Sequence, residues 1–313
     1  LSACEAMLKR MRVLIVGCGY VGQALGAALV QQGHTVFGLR RSLADAAALT
    51  GAGIQPLQGD ITRVEDLAQL PGPFDWVVNT VSSTRGGLMD YRRVYLDGTR
   101  NLINWLAGSG LQKFVYTSST SVYGQTDGSV VTETSPTQPT SPTSQLLVQA
   151  EQLLLEAARH RGFPAVILRV AGIYGPGRGH LFLQYLRGEA RLEDGGQRFI
   201  NMIHRDDVVG VIMAVLHQGQ PGEIYNAVDD QPVRQIEFFS WLSAKLGRPM
   251  PPPAVGARPP SRKRGLTNKQ VSNQKLKQTC GYVFRYPTYR EGYTVEIQRL
   301  QAAGQLHLPA QSA

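Results

Sequence analysis

The stretch RVLIVGCGYVGQAL at 12–25 narrows the fold more than any other part of the chain. An apolar run leads straight into Gly17, Gly19 and Gly22, and helical periodicity opens immediately after them. That order predicts a buried strand, a tight glycine turn and a helix. The alternation then repeats. Apolar runs at 35–39, 75–81, 113–117 and 165–171, with a weaker one at 54–58, predict further buried strands. Helical segments near 21–32, 43–51, 88–108 and 144–160 separate them. Strands that read as near-continuous apolar runs between helices imply a parallel sheet covered on both faces. The predicted fold is α/β, a Rossmann-like doubly wound sheet.

After residue 172 the alternation loosens. Gly and Pro cluster at 172–179 (GIYGPGRG); a helix near Asp206, a strand near 223–228 and a helix near 235–246 follow. The predicted organisation is a main domain over 12–172, to which 206–228 returns, and a smaller C-terminal substrate lobe over 173–313. A ligand is expected at the carboxyl ends of the strands, between the lobes.

The glycine spacing carries chemistry because of its context. Gly17 permits the turn, Gly19 lets the backbone approach a pyrophosphate, and Gly22 packs helix on strand. The helix start, with Tyr20 and Val21, supplies oriented N–H groups for an anion. This predicts a dinucleotide. An NAD-preferring chain usually ends its second strand in Asp or Glu, whereas here Arg40 and Arg41 stand there. Two guanidiniums suit a 2′-phosphate, so NADP is expected, with NAD as the alternative if both arginines simply face water.

At 42% hydrophobic and 18% charged, the 313 residues have an ordinary globular composition, and no apolar run is long enough to span a membrane. The first eleven residues, LSACEAMLKRM, read as upstream leader sequence, too short for a signal peptide, and are set outside the fold. Cys4, Cys18 and Cys280 have neither metal nor disulfide spacing, which fits a reducing cytoplasm and no metal site. Within the net charge of +9, Arg258, Arg262, Lys263, Arg264, Lys269, Lys275 and Lys277 form a basic stretch without an acid. It reads as a solvated loop or a site for a phosphorylated or acidic ligand; the lack of aromatic interleaving or a binding motif counts against nucleic acid.

Several further segments occur in one order: GD at 59–60, DGTRNL at 97–102, TSSTSVYG at 117–124, ILRVAGIYGPGR at 167–178, IHRDDV at 203–208 and IYNAVDD at 224–230. Together with the glycine loop they resemble the extended short-chain dehydrogenase/reductase family, the sugar-nucleotide epimerases and dehydratases, from about Arg12 to Tyr293. The resemblance implies a small-molecule ligand, phosphorylated or nucleotide-linked. It puts Asp60 and Ile61 by the adenine, Thr80 and Val81 along the cofactor, and Ser119 at the family's catalytic Ser/Thr position. His204 and Asp206 match a structural turn and helix cap.

The family's proton donor is a Tyr in a YxxxK motif on the helix over 144–160. Aligning the family's downstream Glu with Glu151 puts Thr143 at the Tyr position and Leu147 at the Lys position. No Tyr lies between Tyr123 and Tyr174, and no Lys between Lys113 and Lys245. Tyr95 also replaces an expected Asn. The chain is thus most similar to atypical members, the YeeZ-like group, that lack the pair. Two readings stand: an NADP-dependent oxidoreductase or epimerase/dehydratase-like enzyme using another donor, with Tyr123, Tyr174, His180 or a substrate group as candidates, or a non-catalytic NADP(H)-binding regulatory or redox-sensing protein. No oligomeric state is read from the sequence.

Overall fold

The computed structural model describes residues 9–83, 87–254 and 267–306. Seven strands, β1 (Arg12–Val16), β2 (Thr35–Arg40), β3 (Gln55–Gln58), β4 (Trp76–Asn79), β5 (Lys113–Ser119), β7 (Ala165–Val170) and β11 (Ile224–Ala227), form one sheet in the order β11-β7-β5-β4-β1-β2-β3. A single two-residue strand, β6 (Val130–Val131), lies between β5 and β7 in sequence. The strand order turns back on itself at β1, as in a doubly wound fold. β1 buries its last four residues and β7 all six, because helices cover both faces.

Two compact units divide the chain. The first comprises Leu1–Thr117, Gln149–Ile167 and Val215–Glu223; the second comprises Ser118–Val148, Leu168–Ala214 and Ile224–Ala313. In the first, helix α1 (Tyr20–Gln31) buries Gly22, Leu25, Gly26 and Leu29, one stripe at helical spacing. The short helices α2 (Ala46–Gly51) and α3 (Val64–Ala68) flank β3 in sequence. The helix predicted over 88–108 is interrupted: α4 (Leu88–Tyr91) runs into a π turn over Arg92–Asp97 before α5 (Gly98–Leu106) resumes. The strand predicted over 75–81 stops at Asn79, whose side-chain oxygen accepts the Val81 N–H (3.1 Å) and ends the ladder.

The 20-residue helix α6 (Pro142–Arg161) starts on a proline, which fits a first turn whose N–H groups lack helical partners. In the second unit, β8 (Gly172–Tyr174) pairs with β10 (Met202–His204) and β9 (Phe199–Ile200) with β12 (Val233–Arg234). β13 (Gln270–Val271) pairs in parallel with β6. Helices α7 (His180–Leu186), α8 (Arg205–Gln218), α9 (Gln235–Leu246), α10 (Gln274–Cys280) and α11 (Tyr289–Ala302) complete the chain. An aromatic core of Tyr174, Phe182, Phe238, Tyr289 and Tyr293 sits under α7, α9 and α11. No helix among the described residues is long and apolar enough to cross a membrane.

Candidate functional site

Parallel register builds one end of the first unit. Val16 of β1 lies opposite Leu39 of β2 and Asn79 of β4, so the chain leaves all three strands at the same level, at Gly17, Arg40 and Thr80. Gly17 has φ +79, and a Cβ there would fall 2.7 Å from the Val81 Cα, so only glycine fits. Its N–H and that of Cys18 both donate to the Leu39 carbonyl, pinning the turn to β2. A Cβ on Gly22 would lie 3.0 Å from Ile15 and 3.2 Å from the Thr80 hydroxyl, which is the close packing of α1 on β1. At Gly19 a Cβ would meet nothing nearer than the Gly17 carbonyl at 3.8 Å. The backbone there is bare and open beside the first N–H groups of α1, at Tyr20, Val21 and Gly22, and no acid stands in that turn. This cradle fits a pyrophosphate.

The neighbouring groups are fixed by their own bonds. Thr80 donates its hydroxyl to the Gly17 carbonyl (3.0 Å), tying β4 to the turn. Asp60 accepts the Thr62 N–H (2.9 Å) while its own N–H donates to Asp66, and the buried Ile61 packs where Gly98 leaves room. Arg40 is partly covered, its side chain 21% exposed, and pairs with the exposed Asp45 at 3.3 Å. Arg41 is exposed. Cys18, inside the turn, is buried; burial pushes its thiol up to about 11, against the pull of Arg40. Neither it nor Cys280 is in a disulfide among the described residues. Tyr95 lies in the π turn, and its hydroxyl accepts the Ser83 N–H (3.2 Å), so it buttresses the segment after β4.

The second unit holds a cavity of about 590 Å³, lined by Ser119, Ser121, His180, Arg191, Arg198 and Lys269 among others. Ser119 ends β5, where its hydroxyl accepts the Ser121 N–H (3.2 Å) at the start of a single 3-10 turn. Thr143 and Leu147 do not line this cavity. Thr143 is buried with its hydroxyl 2.9 Å from that of Ser141, and Leu147, 1% exposed, is core.

Two of the tyrosines considered as donors are structural. The Tyr123 hydroxyl donates to Asn226 (2.7 Å) and accepts from Arg169 (2.9 Å), and burial raises its pKa against the pull of Arg169. Tyr174 stacks on Tyr293 with ring centres 4.2 Å apart, and burial pushes its hydroxyl far above the tyrosine range. His180 is exposed at the start of α7. His204 accepts the Asp206 N–H (3.1 Å), a turn that opens α8.

The basic stretch separates into unlike parts. Lys277 pairs with Asp230 (3.0 Å), Lys275 lies over the Tyr225 ring (5.1 Å), and Lys269 is buried in the cavity wall. Arg258, Arg262, Lys263 and Arg264 fall outside the described residues, as does Cys4. Lys269 is a cavity-lining residue whose place the sequence concealed, since its only signal was membership of a run that resembles solvent-facing charge. Among the described residues no cluster of His, Cys, Asp and Glu could hold a metal.

A doubly wound sheet with a glycine turn between β1 and α1 defines a Rossmann-like α/β protein. Within that class the chain belongs to the NAD dependent epimerase/dehydratase family, whose pattern matches residues 13–227. It is similar to Protein YeeZ of Escherichia coli K12, at 28% identity over 286 residues, 88% of this chain and 96% of that one. It is also similar to the structure of a conserved protein of unknown function from Silicibacter pomeroyi DSS, at 29% identity and TM-score 0.76, covering 94% of this chain and 99% of that one. DesIV of Streptomyces venezuelae, a dTDP-glucose 4,6-dehydratase solved with NAD and TYD bound, shares the fold at TM-score 0.80 and 22% identity, over 93% of this chain and 97% of that one.

Proposed function

We propose that the chain is an NADP-dependent oxidoreductase or epimerase/dehydratase-like enzyme that works without the family's Tyr–Lys pair, on a small phosphorylated or nucleotide-linked substrate. The observation that carries an enzyme reading is the cavity holding Ser119, large enough for a metabolite and lined by both polar and apolar side chains. Backbone N–H groups from Gly17 to Gly22 would hold the pyrophosphate, Asp60 and Ile61 the adenine side, and Thr80 and Val81 the path beyond. When bound, NADP supplies hydride chemistry; the protein's residues bind, orient and exclude water. Ser119 would orient a substrate oxygen. The buried thiols of Cys18 and Cys280, in no disulfide among the described residues, support a reducing, cytoplasmic setting.

The preference for NADP rests on Arg40 and Arg41. The Arg40–Asp45 pair is exposed on its acid side, and such pairs contribute only about 0–1 kcal/mol. A 2′-phosphate, with more charge and more acceptors, would displace Asp45. Arg40→Asp is therefore expected to weaken NADPH binding by roughly tenfold to a hundredfold, with a far smaller effect on NADH. Fluorescence titration of both nucleotides into both proteins tests this, and an equal loss for both would sink the preference. The buried Leu147 favours a second reading, a non-catalytic NADP(H)-binding regulatory or redox-sensing protein. Tight NADPH binding without turnover, with partner release on exchange for NADP, would favour it.

A further inference from the structure

Lys269 is 4% exposed, yet it has no carboxylate partner among the described residues. Its Nζ donates to the Tyr123 carbonyl (3.1 Å) and the Thr267 hydroxyl (2.7 Å), both neutral, which occupies two of its three N–H groups. The backbone around it is clamped. The Asn201 amide donates to the Lys269 carbonyl (2.9 Å) and accepts the Val271 N–H (2.8 Å), holding the chain just ahead of β13.

The other ionisable side chains lining the cavity are His180, Glu189, Arg191, Glu193 and Arg198. Both acids are committed elsewhere, Glu193 to Arg198 and Glu189 to Arg187 (2.9 Å), while Arg191 donates to the Gly188 and Ala190 carbonyls. Burial draws the Lys269 amine down from the usual 10.5 to about 8. In the same wall the Ser121 hydroxyl is buried with no hydrogen-bond partner among the described residues. A buried ammonium without a counter-ion is destabilising, and a Met would fill the same volume without that cost. The charge therefore points to a task in the cavity.

We propose that Lys269 is the proton donor of this site, its ammonium protonating the oxygen of a carbonyl substrate bound in the cavity. The proposal rests on the oxidoreductase reading above. Reduced nicotinamide, when bound, would supply the hydride to the carbonyl carbon; the π pair of the C=O bond would move to oxygen, and Nζ would give that oxygen its proton. The products are an alcohol, oxidised nicotinamide and a neutral amine, and the amine regains its proton from water. An amine titrating near the working pH suits both halves of this cycle. Tyr123 also gains a role, because its carbonyl orients the amine while its hydroxyl is held by Arg169 and Asn226.

The first test needs no substrate. Competitive labelling with acetic anhydride between pH 6 and 11, read by mass spectrometry on the Lys269 peptide of the folded protein, is expected to give an apparent pKa near 8. Titration at the ordinary lysine value, or an amine that never reacts in the folded protein, would overturn the proposal. In the second test, Lys269→Met and Lys269→Arg are compared with wild type for NADPH affinity and for NADPH oxidation with ketones and 4-keto sugar nucleotides. Lys269→Met is expected to lower turnover about a hundredfold and to lose the fall in rate above pH 8, with NADPH affinity kept within twofold. Lys269→Arg keeps the charge and the fold but has no proton to give near neutral pH, so it is expected to be as slow. Wild-type turnover in Lys269→Met would overturn the proposal. Failure of wild type to bind NADPH would instead sink the cofactor reading, a result separable from the labelling.

Discussion

Gly19 allows binding and folding to be tested apart. Its φ of −100 is ordinary, and a Cβ meets nothing closer than 3.8 Å, so the folded chain accepts a side chain there. A dinucleotide would not, since the added atoms occupy the approach to the α1 N-terminus. Gly19→Val is therefore expected to lose more than about a hundredfold in NADPH affinity while keeping its melting temperature within a few degrees. Calorimetric titration and thermal unfolding measure the two effects, and unchanged affinity would remove the loop from the argument. The distinct surroundings of Gly17, Gly19 and Gly22 were legible in the sequence because backbone sterics follow from their spacing. Lys269 was not. Its burial depends on β13 pairing with β6, from a part of the chain far upstream, and no local pattern announces that contact. Asp45 was missed as the partner of Arg40 for a simpler reason: it lies in an irregular segment whose turn decides which way it faces.

At the scale of elements, α6 carries neither Tyr nor Lys. Its periodic leucines predicted a core helix, and Leu146, Leu147 and Leu154 are buried. Thr143→Tyr with Leu147→Lys would restore the motif on paper but would put an ammonium where Leu147 is 1% exposed. The expected result is a loss of several kcal/mol in unfolding free energy and no gain in NADPH oxidation. Denaturant unfolding beside a ketone panel measures both; a stable double variant that turns over would show that α6 still faces substrate. β1, β2, β4 and β5 were readable because each is a buried apolar run, whereas β3, with both ends exposed, left only a weak signal. The π turn in the predicted 88–108 helix was not, because six residues are too few to separate its period from that of an α-helix. The short strands of the second unit were equally hidden: several are two residues long and exist only through partners distant in sequence.

For the whole molecule, the buried amine sets a pH dependence of stability. The unfolded chain holds the Lys269 proton to about pH 10.5, the folded chain only to about 8. Between those values unfolding takes up a proton, so this group's contribution to stability rises with pH through the window and its penalty is full below 8. The span corresponds to about 3 kcal/mol. Lys269→Met is expected to be more stable than wild type at pH 7 and to lose that advantage by pH 10, as measured by urea unfolding at each pH. A gap that stays constant would mean the amine is not desolvated. The sheet order has a consequence of another kind. β7, with all six residues buried, borders β11 in the finished sheet, yet β11 is encoded only after α7 and α8. A ribosome makes the chain from its N-terminus, so throughout the synthesis of residues 171–223 the nascent protein carries an apolar strand whose outer hydrogen-bonding edge has no partner. Such an edge recruits any extended segment that meets it. The interval before residue 227 emerges is thus when this chain has most need of chaperone cover, and a stalled ribosome within it would release a fragment prone to aggregate.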